Sequence, residues 1–133
     1  MCSSDLKQKQ PALEAHVADV LSFALDAAGE HEEAEALAQR GFELLSKTGD
    51  KRQLGISLGN KAVQDQIAGR MKEAERGYAR ALEISEAAGD LHNAAMVACN
   101  FATLWVARGR FTEAEPYIQR GMALYEKIGN RVV

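Results

Sequence analysis

The feature that most constrains this chain is a glycine that recurs every 20 residues. It falls at Gly29, Gly49, Gly69, Gly89, Gly109 and Gly129, six of the 11 glycines in the chain. Glycine adopts the left-handed conformation that ends many helices at little steric cost, so each of these glycines is expected to stop a helix. The stretches between them are rich in Ala, Leu, Glu and Arg, which favour helix. The pattern predicts six helices at about 11–28, 31–47, 51–68, 71–87, 91–108 and 111–127.

Alternate glycines have different neighbours, which makes the full repeating unit 40 residues long. Glu-Ala-Glu triplets follow every second glycine, at residues 33–35, 73–75 and 113–115. The other glycines precede residues whose side chains can cap the next helix, namely Asp50, Asp90 and Asn130. Small residues recur in one register at Gly41, Ala81 and Gly121, which predicts a close approach within each helix pair. Because short turns join the helices, neighbouring helices are expected to run antiparallel.

This pattern resembles the tetratricopeptide repeat, in the 40-residue form seen in kinesin light chains and many bacterial regulators. The third unit carries the best match, at Asn100, Phe101, Ala102, Trp105, Gly109, Phe111, Ala114, Met122 and Leu124. The second unit keeps Gly69, Ala74, Tyr78, Ala81, Leu82 and Ile84, and the first keeps Leu21, Leu25, Gly29, Ala34 and Phe42. The resemblance implies an all-α fold, an α-solenoid of three helix-turn-helix repeats with six antiparallel helices, in units of about 11–50, 51–90 and 91–130.

Both ends of the chain lie outside this register. Residues 1–10 are interpreted as a leader that is not part of the repeat domain of residues 11–130, and the first six of them as non-native sequence. Pro11 is expected in the first turn of a helix, where proline is tolerated. Residues 131–133 follow the last glycine and are expected to begin a further helix, so the chain is interpreted as a fragment of a longer protein.

No group of residues in the sequence suggests catalysis. His16, His31 and His92 fall on different predicted helices, and none has the spacing to Cys, Asp or Glu that a metal site needs. The evenly spaced glycines form no phosphate-binding loop. Trp105 shares a predicted helix face with Phe101, which favours core packing over ligand stacking. We therefore predict that the chain is not an enzyme and has no catalytic residues, cofactor or metal.

Charge and hydropathy argue against two further classes of partner. A net charge of -3 and a pI near 5.6 do not suit a nucleic-acid-binding surface. The sequence has no uninterrupted run of about 18 apolar residues, which a membrane-spanning helix would require. The two cysteines have neither zinc nor disulfide spacing, and no secretory leader precedes the repeats. These features favour a cytoplasmic location.

In tetratricopeptide arrays the first helix of each pair lines a concave groove, so the resemblance implies a partner-binding surface on the first, third and fifth helices. The predicted groove residues are Ile56, Asn60, Val63, Ile67, Met96, Asn100 and Thr103. Further candidates are His16, Asp19, Phe23, Cys99 and Val106. On a helical wheel Ile56, Val63 and Ile67 fall within about 40° of each other. Such a face either binds a partner or is buried between units.

The sequence therefore predicts a protein–protein interaction module, a scaffold or adaptor that binds a peptide or a helical protein partner in the concave groove of the solenoid. The alternative is a regulatory or oligomerising segment of a larger multidomain signalling protein or transcription regulator. Apolar residues of the last helix, including Met122 and Leu124, also predict self-association through the ends of the array. Within the middle unit, Lys61 and Asp65 are four residues apart and are expected to pair on one helix face.

Overall fold

The computed structural model describes the backbone of residues 3–132 and the side chains of residues 13–130. This part of the chain contains six α-helices and no strand, so the predicted all-α fold is confirmed. The helices are α1 (Ser3–Ala27), α2 (His31–Thr48), α3 (Lys51–Ile67), α4 (Met71–Ala87), α5 (Leu91–Ala107) and α6 (Phe111–Val132).

The predicted glycine turns are confirmed at five of the six positions. Gly29, Gly49, Gly69, Gly89 and Gly109 all have φ between 71° and 89°. A side chain at this φ would be strained, which explains the glycine at each turn. After Gly69, the amide of Arg70 donates to the carbonyl of Asp65 at 2.8 Å and so closes the end of α3. The predicted caps also form, because Asp50 accepts from the amide of Gln53 and Asp90 from that of Asn93.

The predictions for the two outer helix ends are wrong. α1 begins at Ser3, so Pro11 lies inside the helix instead of in its first turn. α6 continues through Gly129 and Asn130 to Val132, where a turn and a cap were expected. A single glycine costs a helix only about 1 kcal/mol relative to alanine, and strong helix formers precede Gly129. Gly129 alone is therefore not enough to end a helix in which the neighbouring residues favour continuation. Pro11 costs a helix interior about 3 kcal/mol, and nothing in the structure explains its place inside α1.

The helices stack as three antiparallel pairs, α1 with α2, α3 with α4 and α5 with α6. Close approach within the pairs requires small residues, as predicted. A methyl group at Gly41 would lie 3.3 Å from the carbonyl oxygen of Ala15, and one at Gly121 would lie 3.1 Å from Sγ of Cys99. Larger side chains at these positions would push the paired helices apart.

The curvature of the array follows from which helices approach between pairs. Within residues 3–132, the backbones of α1, α3 and α5 come close in succession, whereas those of α2, α4 and α6 do not approach one another. The first helices of the pairs are therefore on the inside of the bend and the second helices on the outside. This geometry places any concave surface on α1, α3 and α5.

The two junctions between units have different side chains. At the first, Ser57 donates to Oδ1 of Asp19 at 3.1 Å, and Nε2 of Gln64 donates to the hydroxyl of Ser22 at 3.2 Å. All four side chains are buried. Burial raises the pKa of Asp19, an effect that the Ser57 hydrogen bond and nearby His16 partly oppose. The first junction thus contains a buried polar network.

The second junction is largely apolar. The ring of Tyr78 in the second unit stacks across it on Phe101 of the third unit, with centroids 5.5 Å apart. Phe101 stacks in turn on Tyr117 of its own unit at 4.1 Å. Trp105 stacks on Phe101 at 5.9 Å and packs against the same core, as predicted. The hydroxyl of Tyr78 donates to Gln66 at 2.7 Å.

Candidate groove on the inner helices

The candidate site is a stripe along the inner face of α1, α3 and α5, which we call the inner stripe. Each helix contributes residues at the same four repeat positions. They are His16, Val20, Phe23 and Ala27 on α1; Ile56, Asn60, Val63 and Ile67 on α3; and Met96, Asn100, Thr103 and Ala107 on α5. All twelve side chains are exposed or half-buried, and one of them, Val63, packs against the edge of the core.

The packing of α3 explains why its stripe stays accessible. Ala62 lies against Gly77 of α4, Ser57 bonds to α1, and Gly59 lies against Val97 of α5. At 100° per residue these three contacts occupy separate sides of the helix. The stripe from Ile56 to Ile67 is on the remaining side, opposite α4. The four predicted groove residues of α3 therefore share one face that no helix of the described chain covers.

The inner stripe is apolar and amide-rich. Ile67 is 76% exposed and Met96 is 56% exposed, values that are high for large apolar side chains. Its only titratable side chain is His16. Such a surface suits neutral, apolar side chains and backbone amides, because apart from His16 it presents no ionisable group for an acidic or basic ligand to pair with.

Asn60 and Asn100 are the distinctive polar residues of this surface. Both are half-buried, and neither side-chain amide has a hydrogen-bond partner among the described side chains and backbone. Asn93, also half-buried on α5, differs because its amide donates to the hydroxyl of Ser85 at 2.7 Å. A side-chain amide can both donate and accept. Asn60 and Asn100 thus hold free donors and acceptors side by side on adjacent inner helices.

Three of the further groove candidates lie elsewhere. Asp19 is only 7% exposed and accepts from Ser57 across the first junction, so its prediction as a groove residue is wrong. The wheel position of Asp19 is next to the inner stripe, and a single sequence gives no signal that Ser57 will reach it. Cys99 and Val106 are exposed, but they flank the stripe and face the end of the array with Met122.

The predicted pair in the middle unit forms, and a third residue joins it. Nζ of Lys61 lies 3.1 Å from Oδ2 of Asp65, and Nε of Arg70 donates to Oδ1 of the same carboxylate at 2.8 Å. Glu35 of the first unit lies 4.0 Å from Lys61. Sequence spacing identified Lys61 and Asp65, whereas Arg70 reaches the carboxylate only because the turn after α3 folds back.

The described residues supply no further class of site. Within residues 13–130, no three His, Cys, Asp or Glu side chains group in a way that could hold a metal ion. None of the helices within residues 3–132 is both long and apolar enough to cross a membrane.

Comparison with known proteins agrees with this geometry. A family model described as tetratricopeptide repeat matches residues 53–127, from α3 to α6. The match covers the second and third helix pairs and the larger part of the inner stripe. A comparison with curated proteins found no matching sequence.

Proposed function

Because the chain belongs to the tetratricopeptide repeat family, and this membership suggests a role in protein–protein interaction, we propose that it is an adaptor that binds a peptide in the groove lined by the inner stripe. The observation that supports this most is the pair of unpartnered amides, Asn60 and Asn100, set among exposed apolar side chains. An unsatisfied amide beside apolar surface is well suited to bind a backbone, because it gains hydrogen bonds that the fold does not supply.

The geometry favours an extended peptide with neutral side chains. Packed helices are about 8–10 Å apart, so the two amides are separated by roughly that distance on α3 and α5. An extended chain rises about 3.3 Å per residue, so Asn60 and Asn100 would reach backbone groups about three residues apart. Apolar side chains of the peptide would then contact Ile56, Ile67 and Met96. A helical partner would satisfy its own backbone and leave both amides unpaired.

Binding is proposed to be the whole of the activity, with no catalytic step, and to take place in the cytoplasm. A second candidate is an oligomerising or regulatory segment of a larger signalling protein or transcription regulator. The observation that favours oligomerisation is the exposed apolar surface at both ends of the array, including Leu13 and Met122. Around Met122 that surface meets the inner stripe at Thr103, and around Leu13 it includes no residue of the stripe.

The amides can be tested with a variant that replaces both Asn60 and Asn100 by alanine. Peptides would first be selected by display against the parent chain, and their affinity for the variant measured by calorimetry. We expect the variant to keep the helical spectrum and melting midpoint of the parent, because neither amide has a partner in the fold. We expect it to lose at least tenfold in affinity, since each lost hydrogen bond contributes about 0.5–1.5 kcal/mol.

Asn93→Ala is the matched control, because it removes the same group from the same helix at a position where the amide is bonded to Ser85. It should lower the free energy of unfolding by about 1 kcal/mol and leave peptide affinity unchanged. The reverse pattern, with unchanged affinity and a lower melting midpoint in the double variant, would assign Asn60 and Asn100 to the scaffold and refute the proposal.

A further inference from the structure

Both ends of the array present exposed apolar surfaces, and repeat equivalents of their residues are buried inside the array. We call the outer surface of α5 and α6 the trailing face. Its exposed apolar residues include Ile118, Met122 and Tyr125, which with Cys99, Ala102 and Val106 line a shallow depression of about 460 Å³. In the second unit the corresponding residues are Tyr78, Leu82 and Ser85, and all three are buried. The third unit covers them.

The opposite end carries the complementary surface. We call the outer surface of α1 and α2 the leading face, and its exposed apolar residues include Leu13, Val17 and Leu21. Two units later, Val97 and Phe101 take the positions of Val17 and Leu21, and there they are buried against the second unit. The leading face is therefore the first-unit version of the surface that covers Tyr78 and Leu82.

We propose that the trailing face binds the leading face of a second copy of this chain, so that copies stack head to tail and continue the repeat. The second junction within the chain is the template for this contact, because it joins the same repeat positions with the same helices. A contact between two different faces leaves one of each free on every dimer, so the assembly grows instead of closing. This inference does not depend on the groove.

Charged side chains at the two faces support the same alignment of repeat positions between stacked copies. Arginines at one repeat position reach back to the preceding unit in both junctions of the chain. The guanidinium of Arg80 lies 5.2 Å from the ring centre of Phe42, and Nε of Arg120 donates to Glu86 at 3.0 Å. The first-unit equivalent is Arg40, which is exposed on the leading face.

On the trailing face the positions that receive these arginines are occupied by Met122 and Glu126, both exposed. Head-to-tail stacking would place Arg40 of one copy over Met122 and beside Glu126 of the next. Arg40 and Glu126 carry opposite charges, so they can pair between copies as Arg120 and Glu86 pair within the chain.

Complementation between two variants distinguishes this arrangement from other assemblies. Met122→Glu places a charge in the trailing face, and Val17→Glu places one in the leading face. Ala79→Glu, on the exposed outer side of α4, is the control for added charge. All would be compared with the parent by sedimentation velocity over a range of concentrations, after circular dichroism has shown the same helix content.

We expect the parent and Ala79→Glu to form a concentration-dependent series of oligomers, and each face variant alone to be monomeric. A mixture of Met122→Glu and Val17→Glu retains one intact face of each kind. It should form a one-to-one dimer that grows no further. A monomeric parent at all concentrations would overturn the proposal. Association of either face variant alone would overturn it too, because that requires contact between two like faces.

A crosslink tests the register without adding a charge. Cys99 is on the trailing face at the repeat position of Gly59, which lies against Val97 in the second junction. Val17 is the first-unit equivalent of Val97, so Val17→Cys in a Cys2→Ser background should form disulfides with Cys99 of the next copy on mild oxidation. The expected product is a ladder of linked chains that Cys99→Ser abolishes. A product that stops at the dimer and persists with Cys99→Ser would contradict head-to-tail stacking.

Discussion

The two junctions between units join the same kinds of helix at the same spacing, but they use different chemistry. At the first, four buried polar side chains bond in two pairs, Asp19 with Ser57 and Ser22 with Gln64. At the second, a stack of aromatic rings is centred on Phe101. The repeat template thus fixes where helices meet without fixing which forces hold them.

This difference has a consequence for stability. In repeat proteins the folding free energy is approximately a sum of contributions from each unit and from each junction. Buried apolar area contributes about 25 cal/mol per Å², whereas a buried polar pair loses much of its gain to desolvation. The raised pKa of Asp19 reflects that desolvation directly. We therefore expect the first junction to be the weaker one, and the second and third units to form the more stable body.

The largest expected effect comes from removing the centre of the apolar junction. Phe101→Ala should lower the free energy of unfolding by about 3–5 kcal/mol, because the ring is buried among three other aromatic side chains. Lys61→Ala changes the residue at the same repeat position in the first junction, which is partly exposed, and should cost less than about 1 kcal/mol, because Asp65 keeps Arg70 as a partner. Chemical denaturation of both variants measures the difference. Equal losses would remove the distinction between the two regions.

A smaller effect is expected from the ion cluster beside the polar junction. Asp65→Leu leaves Lys61 and Arg70 without their shared carboxylate, and we expect a loss of about 2 kcal/mol. This expected loss is smaller than the roughly 3–5 kcal/mol that breaking a fully buried ion pair costs, because both cations are partly exposed to water. The joint Lys61→Leu, Asp65→Leu variant should recover at least half of that loss. A joint variant less stable than Asp65→Leu alone would show that Lys61 stabilises the junction by itself.

Local signals in the sequence were the reliable ones. The turn glycines and the caps Asp50 and Asp90 were predicted because a left-handed φ and a capping carboxylate act within a few residues of their position. Gly129 misled because one glycine is a weak signal against several neighbours that favour helix. Pro11 is a strong signal against a helix interior, and nothing in the structure explains why α1 continues through it. Both errors are at the outer ends, where one helix neighbour is missing and the repeat register gives less guidance.

The uncovered face of the inner helices was predicted in position but not in all its members, and its role in binding stays a prediction. Helical periodicity placed Ile56, Asn60 and Ile67 on one face, and the structure leaves that face uncovered. The same reasoning included Asp19, because its pairing with Ser57 joins residues in different units. Contacts of that kind depend on how the helices stack, and periodicity within one helix carries no information about it.

The most direct test of the difference between the junctions is amide hydrogen exchange of the native chain at increasing concentrations of guanidinium. If the first junction is the weaker, amides of α1 and α2 should exchange through a partial opening of lower free energy than amides of α3 to α6. The protected amides of Tyr78 and Phe101 should then report the global unfolding. A single opening free energy shared by all six helices would contradict the account.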